Sequence, residues 1–149
     1  MVAAMTDKFD KETRSRIMAK VAGKNTEPET AVRKLIWQMG FRYRLHDKNL
    51  PGKPDIVFSK KKKIIFVHGC FWHNHIGCKM ATMPQSNADY WQAKIQRNVN
   101  RDKTNIAKLE SMGWQVLIVW ECELKDIETL KSTAFRIRYI FNRDNSPNL

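Results

Sequence analysis

Residues 54–68 read Pro54-Asp55-Ile56-Val57-Phe58-Ser59-Lys60-Lys61-Lys62-Lys63-Ile64-Ile65-Phe66-Val67-His68. Two short runs of β-branched and aromatic residues, Asp55 to Phe58 and Ile64 to Val67, flank Ser59 and four lysines, the pattern of a hairpin with a solvated tip. The lysine run is expected to be an exposed turn rather than a dedicated contact. Upstream, Thr26-Glu27-Pro28-Glu29 is a capping box with an early proline, and Val32, Leu35, Ile36 and Met39 recur at helical spacing until Gly40. Downstream, Ser86 to Met112 reads as a helix with Trp91, Ile95, Val99, Ile106 and Leu109 largely on one side, stopped by Gly113. Val116 to Trp120 is almost wholly apolar, as a strand covered on both faces should be, and an amphipathic helix follows from about Ile127 to Phe141. Helix, hairpin, helix, buried strand and helix in that order predict an α/β fold with a mixed central β-sheet flanked by helices.

The chain of 149 residues, 42% hydrophobic and 28% charged, suits one domain that buries its own core. An N-terminal arm of about residues 1–24, a core of about 25–141 and a tail of 142–149, rich in Asn, Ser and Pro, divide it. Lys and Arg number 27 against 15 Asp and Glu, a net charge of +12, which favours a polyanionic partner. No run approaches the roughly 18 apolar residues of a membrane span, and the first residues lack the apolar core of a signal peptide. A cytoplasmic protein without a membrane partner is expected. Cys70, Cys78 and Cys122 are an odd number for a reducing compartment, so metal ligation or burial outweighs a disulfide framework.

The segment His68-Gly69-Cys70-Phe71-Trp72-His73-Asn74-His75-Ile76-Gly77-Cys78 interleaves thiols and imidazoles. Zinc takes four such ligands in a tetrahedron; Cys70, His75 and Cys78 supply three from one loop, and Cys122, just past the apolar strand, is the natural fourth. His73 is the alternative imidazole, and burial of the cysteines as small hydrophobes the alternative reading of the thiols. Four protein ligands leave no open position, so such a zinc is structural. Asp55 places a carboxylate at the start of the hairpin, beside the end of its second strand at Val67-His68, where magnesium finds oxygen ligands; a turn residue after proline is the other reading. Phe71 and Trp72, adjacent in a polar loop of a basic protein, suit insertion into a base stack or packing into the core.

Four segments together, LPGKPDIVF (50–58), IIFVHGCFWH (64–73), NADYWQAKIQRNVNRD (87–102) and GWQVLIVWEC (113–122), resemble the very-short-patch repair (Vsr) endonucleases. TRSRIM, Thr13 to Met18, is similar to the family's N-terminal arm, so the resemblance spans roughly residues 10–125. It implies a restriction-endonuclease-like core with a structural zinc site. It also implies nicking of DNA on the 5′ side of the thymine in a T·G mismatch, the product of 5-methylcytosine deamination. By the same resemblance Asp55 and the backbone carbonyl of Val67 hold catalytic Mg2+, His68 and His73 are active-site histidines, and His73 is the candidate general base. Glu29 matches an acidic residue near that site, though it is also the carboxylate of the capping box. The zinc set falls on Cys70, His75, Cys78 and Cys122. Met18, Phe71, Trp72 and Trp91 match residues that enter the DNA stack, with the apolar face of its own helix as the competing place for Trp91. Lys94 and Asn98, from the polar side of that helix, complete the expected DNA contacts.

Two departures from the family pattern stand out. Val67 replaces a threonine, which leaves a backbone carbonyl intact, and His75-Ile76-Gly77-Cys78 has one residue more between ligands. An acidic-x-Lys motif is absent after Ile65, which fits a histidine-based centre. The expectation is therefore a magnesium-dependent, zinc-stabilised, mismatch-directed nicking endonuclease, monomeric, with mismatch-repair proteins as candidate partners. Its rivals are a non-catalytic zinc-stabilised DNA-binding module and a nuclease of the same fold with another DNA target.

Overall fold

The computed structural model describes residues 10–13 and 26–143, and Thr26 caps the helix that opens the second stretch. Its hydroxyl accepts from the backbone N–H of Glu29 at 3.4 Å, and proline stands in the first turn of helix α1, Glu27–Gln38. Gly40, at φ 88°, takes the left-handed conformation that ends it.

The sheet among the described residues has four strands, β1 (Arg44–Leu45), β2 (Ile56–Phe58), β3 (Lys63–His68) and β4 (Gln115–Trp120), in the order β1-β2-β3-β4. The pairs β1·β2 and β2·β3 are antiparallel, and β3·β4 is parallel in the register Lys63↔Gln115 to His68↔Trp120. The parallel step is spanned by α2, Ala88–Ser111. Helix α3, Ile127–Asn142, follows a short 3-10 turn, Glu121–Leu124.

The strands alternate with period two and feed two apolar layers. Ile56, Phe58, Ile65 and Val119 pack with Val32 and Ile36 of α1 and Ile137 and Phe141 of α3. Val57, Ile64 and Phe66 turn the other way and meet Leu109 of α2. The sheet is thus sandwiched between α1 with α3 on one face and α2 on the other. No helix among the described residues is long and apolar enough to cross a membrane.

The mixed sheet, the hairpin and the three long helices match expectation within two residues at their ends. Three details differ. Lys63 is a buried first residue of β3, 3% exposed, and not part of the solvated turn; its ammonium donates to Gln115 Oε1 at 2.7 Å and to the Ile140 carbonyl at 3.1 Å. Burial of a lysine is tolerable because the head group is hydrogen-bonded. Asp55 lies in the bend before β2 rather than in the strand. The two-residue β1 and the 3-10 turn carry no periodic pattern long enough to read.

Candidate active site and metal centre

Parallel pairing puts the ends of β3 and β4 side by side, with His68 opposite Trp120. Two residues beyond each end stand Cys70 and Cys122, so the register itself juxtaposes two thiols that are 52 positions apart in the chain. Glu121 Oε1 accepts from Cys70 N at 2.8 Å, tying the two exits together. The loop then folds back: His75 N donates to the Cys70 carbonyl at 2.9 Å and Cys78 N to the His75 carbonyl at 3.2 Å. His75 Nδ1 comes to 3.4 Å from Cys122 Sγ and 3.6 Å from Cys70 Sγ, its ring stacked on Trp120 at 4.1 Å. One ligand atom from each of Cys70, His75, Cys78 and Cys122 lies within 4.8 Å of all the others. Burial pushes the Cys70 thiol up to about 12, and a bound cation would hold it as the thiolate. The donor set suits zinc, and the extra residue of the loop is absorbed in a turn with Gly77 at φ 76° and Ile76 90% exposed.

On the other side of the β3 end lies an open cleft of about 800 Å³. Its walls include Glu29 from α1, Asp55 from the bend, His68 from β3, Trp72 and His73 from the loop, and Asp102 from α2. Asp55 Oδ2 accepts from Val67 N at 2.7 Å, which sets the carboxylate against the backbone of the strand predicted to share its metal. Burial raises its carboxyl to about 6, the backbone N–H opposing and the charge of Glu29 adding. A divalent cation fits such a desolvated pair of carboxylates. His73 Nδ1 is hydrogen-bonded to Asp102 Oδ2 at 2.5 Å, and the His68 ring stacks on that of His73 at 3.8 Å, 7° from parallel. Burial first, and then His73, lower His68 to about 4, so it is neutral at physiological pH. Its Nδ1 is buried without a hydrogen-bond partner among the described residues.

The aromatic expectations resolve differently. Phe71, Trp72 and Trp91 form one cluster, with ring centroids 5.0 to 6.0 Å apart. Trp91 is buried and Phe71 and Trp72 half-buried. Trp91 therefore packs on the apolar side of α2 and underlies the loop. Asn98 donates to the Trp72 carbonyl at 3.0 Å and accepts from Arg101, while Lys94 is half-buried on the same helix. Met18 lies outside the described residues.

Sequence reasoning missed Asp102 as the partner of His73, and His46 and Arg33 as the neighbours of Glu29. Asn98, Asp102 and Asn105 all line the cleft. Their i, i+4, i+7 spacing is a polar stripe on α2 that would have pointed to it.

With that geometry in place, likeness to known proteins decides the kinship. A family described as DNA mismatch endonuclease Vsr matches residues 6–79. The type II nicking enzyme V.XorIIP of Xanthomonas oryzae is 48% identical over 138 residues, covering 93% of this chain and 98% of that protein. The chain belongs to the Vsr family of DNA endonucleases. Two other relatives agree. The nicking enzyme V.NmeAIP of Neisseria meningitidis is 50% identical over 82% of this chain and 86% of its own length. The DNA mismatch endonuclease Vsr of Escherichia coli is 41% identical over 90% and 85%. This Vsr-family protein is accordingly a DNA-acting nuclease of a repair family, which accounts for its net charge of +12.

Proposed function

We propose that this Vsr-family endonuclease is magnesium-dependent and nicks one strand on the 5′ side of the thymine in a T·G mismatch, opening a short repair tract. The single observation that carries the reading is that Asp55, the His73–Asp102 pair and Trp72 line one cleft. Groups suited to hydrolysing a phosphodiester thus adjoin a side chain suited to probing the base stack. The names of the relatives, nicking enzymes and a mismatch endonuclease, support the same reading. So does the mixed sheet, which we read as a restriction-endonuclease-like core.

Asp102 accepts a hydrogen bond from His73 Nδ1–H, which leaves Nε2 as the lone-pair nitrogen able to take a proton from the attacking water. His68, neutral and stacked on His73, donates a hydrogen bond to a phosphate oxygen. Asp55 and the Val67 carbonyl would hold magnesium, which when bound stabilises charge developing on the phosphoryl and leaving oxygens. Glu29 adds negative charge to the same wall. Cys70, His75, Cys78 and Cys122 would hold a structural zinc, which would keep the aromatic loop in shape. Phe71 and Trp72 press into the stack from that loop, Trp91 backs them, and Lys94, Asn98 and Met18 contact DNA around the mismatch. Opening a mismatched pair takes less than the few kcal/mol needed at a paired step.

The test is single-turnover cleavage of T·G, other mismatched and fully paired duplexes, with and without Mg2+, by the parent and Trp72→Ala. Metal-dependent nicking confined to T·G, with preference lost in the variant while duplex affinity persists, is the expected result. Equal cleavage of paired duplex would overturn mismatch direction, and an unchanged preference in Trp72→Ala would remove that ring from recognition.

A further inference from the structure

Behind the cleft wall, Glu29 is held by two residues that the reading of the site does not use. His46 Nε2 lies 3.2 Å from Glu29 Oε2, and Arg33 Nη2 lies 3.1 Å from that oxygen and 3.3 Å from His46 Nε2. In the tautomer protonated at Nδ1, His46 Nε2 accepts from the Arg33 guanidinium with its lone pair on the side of the Glu29 carboxylate. Two acceptors at that separation repel unless a positive group sits beside both. Arg33 fills this place from one side, with its own Nε buried and without a hydrogen-bond partner among the described residues.

The backbone is committed to the same arrangement. His46 sits at φ 46°, a conformation rarely used outside glycine, and its N–H donates to the Asp55 carbonyl at 3.3 Å. Ligand atoms of Glu29, His46 and Asp55 lie within 4.8 Å of one another. Two carboxylates with one imidazole suit a first-row transition ion, whereas magnesium gains little from exchanging an oxygen for a nitrogen.

We propose that His46 is a nitrogen ligand of a divalent-cation site completed by Glu29 and Asp55, and that it tunes this centre toward Mn2+ over Mg2+. The proposal rests on the reading of Asp55 as a cation ligand and adds the donor that sets selectivity. Arg33 is the cation's competitor, neutralising Glu29 and covering the lone pair when no metal is present.

Manganese is the probe, since it is a hard ion that leaves a thiolate site alone. Loss of the free Mn2+ electron paramagnetic resonance signal gives affinity, and Mg2+ affinity follows by competition. Electron spin echo modulation reports a nitrogen bound directly to manganese. The parent should show nitrogen modulation and His46→Gln should not. Mn2+ affinity in His46→Gln should fall by at least the roughly tenfold that losing an outer-shell partner costs, with Mg2+ affinity much less affected. Arg33→Met should bind Mn2+ more tightly than the parent. Circular dichroism and zinc content of the variants confirm that they fold.

Absence of nitrogen modulation in the parent overturns the proposal, whatever the variants do. Modulation that persists in His46→Gln, equal weakening of both metals, or weaker Mn2+ binding by Arg33→Met also overturns it. Asp55→Asn with unchanged Mn2+ affinity would overturn the cation reading of Asp55 itself. Loss of binding in Asp55→Asn without any effect of His46→Gln would overturn only the nitrogen ligand.

Discussion

Burial raises the Asp55 carboxyl from 3.8 to about 6, against its hydrogen bond from Val67 and with the help of Glu29. A folded-state value above the unfolded one means that folding favours the neutral acid. Its stabilising contribution is complete below 3.8 and is lost as pH rises through about 6. At neutral pH the carboxylate should therefore cost stability, roughly 3 kcal/mol at most from a shift of about two units. Asp55→Asn, which keeps an acceptor for Val67 N–H, should melt at higher temperature than the parent at pH 7.5 without added Mg2+. The difference should shrink toward pH 4, and scanning calorimetry across that range checks it. The same variant should lose nicking. Asp102→Asn is the complementary case: an amide donates as well as accepts and no longer fixes the proton on His73 Nδ1. Loss of an oriented base should lower single-turnover cleavage by about a hundredfold, with binding of T·G duplex unchanged in a gel-shift titration.

The β3·β4 pair and its two exits are the element on which both candidate metal centres hang. Parallel register places Cys70 against Cys122 on one side and, through His68 and the loop, His73 against Asp102 of α2 on the other. The loop from Gly69 to Cys78 has only turn hydrogen bonds of its own, so its shape depends on being tied to the β4 exit. Cys122→Ser should release zinc, measurable by metal analysis of the purified protein. It should also lower the melting temperature, because energy of binding a structural zinc is folding energy. Trp120, which stacks on His75, should then show altered fluorescence. A variant as stable and as zinc-rich as the parent would contradict the four-ligand centre.

Across the whole molecule, 27 basic residues against 15 acidic ones face a substrate carrying one charge per phosphate. Each phosphate neutralised releases a condensed counterion, so affinity for undamaged duplex should fall linearly in log–log form with salt, with a slope of about −0.9 per phosphate contacted. Fluorescence anisotropy between low and physiological salt measures it. A flat line would mean that the charge serves solubility. The cleft itself is lined by the carboxylates Glu29, Asp55, Asp102 and Glu121 against Lys53 and Arg101, so the excess of basic charge lies elsewhere on the molecule.

Local pattern determined the helices, the hairpin, the apolar fourth strand and the cysteine and histidine quartet. Each of these rests on spacing within one segment or on scarce residue types such as Cys70, Cys78 and Cys122. Tertiary structure alone decided what pairs with what. Lys63 reads as part of a solvated run, yet register carries it to Gln115 and the end of α3. Asp102 carries no local signal within its helix beyond the polar stripe it shares with Asn98 and Asn105, yet packing of α2 brings it to His73. His46 and Arg33, 13 positions apart and part of no sequence motif, converge on Glu29. A side chain's period tells which way it faces; only closure of the sheet and helices tells which distant group waits on that side.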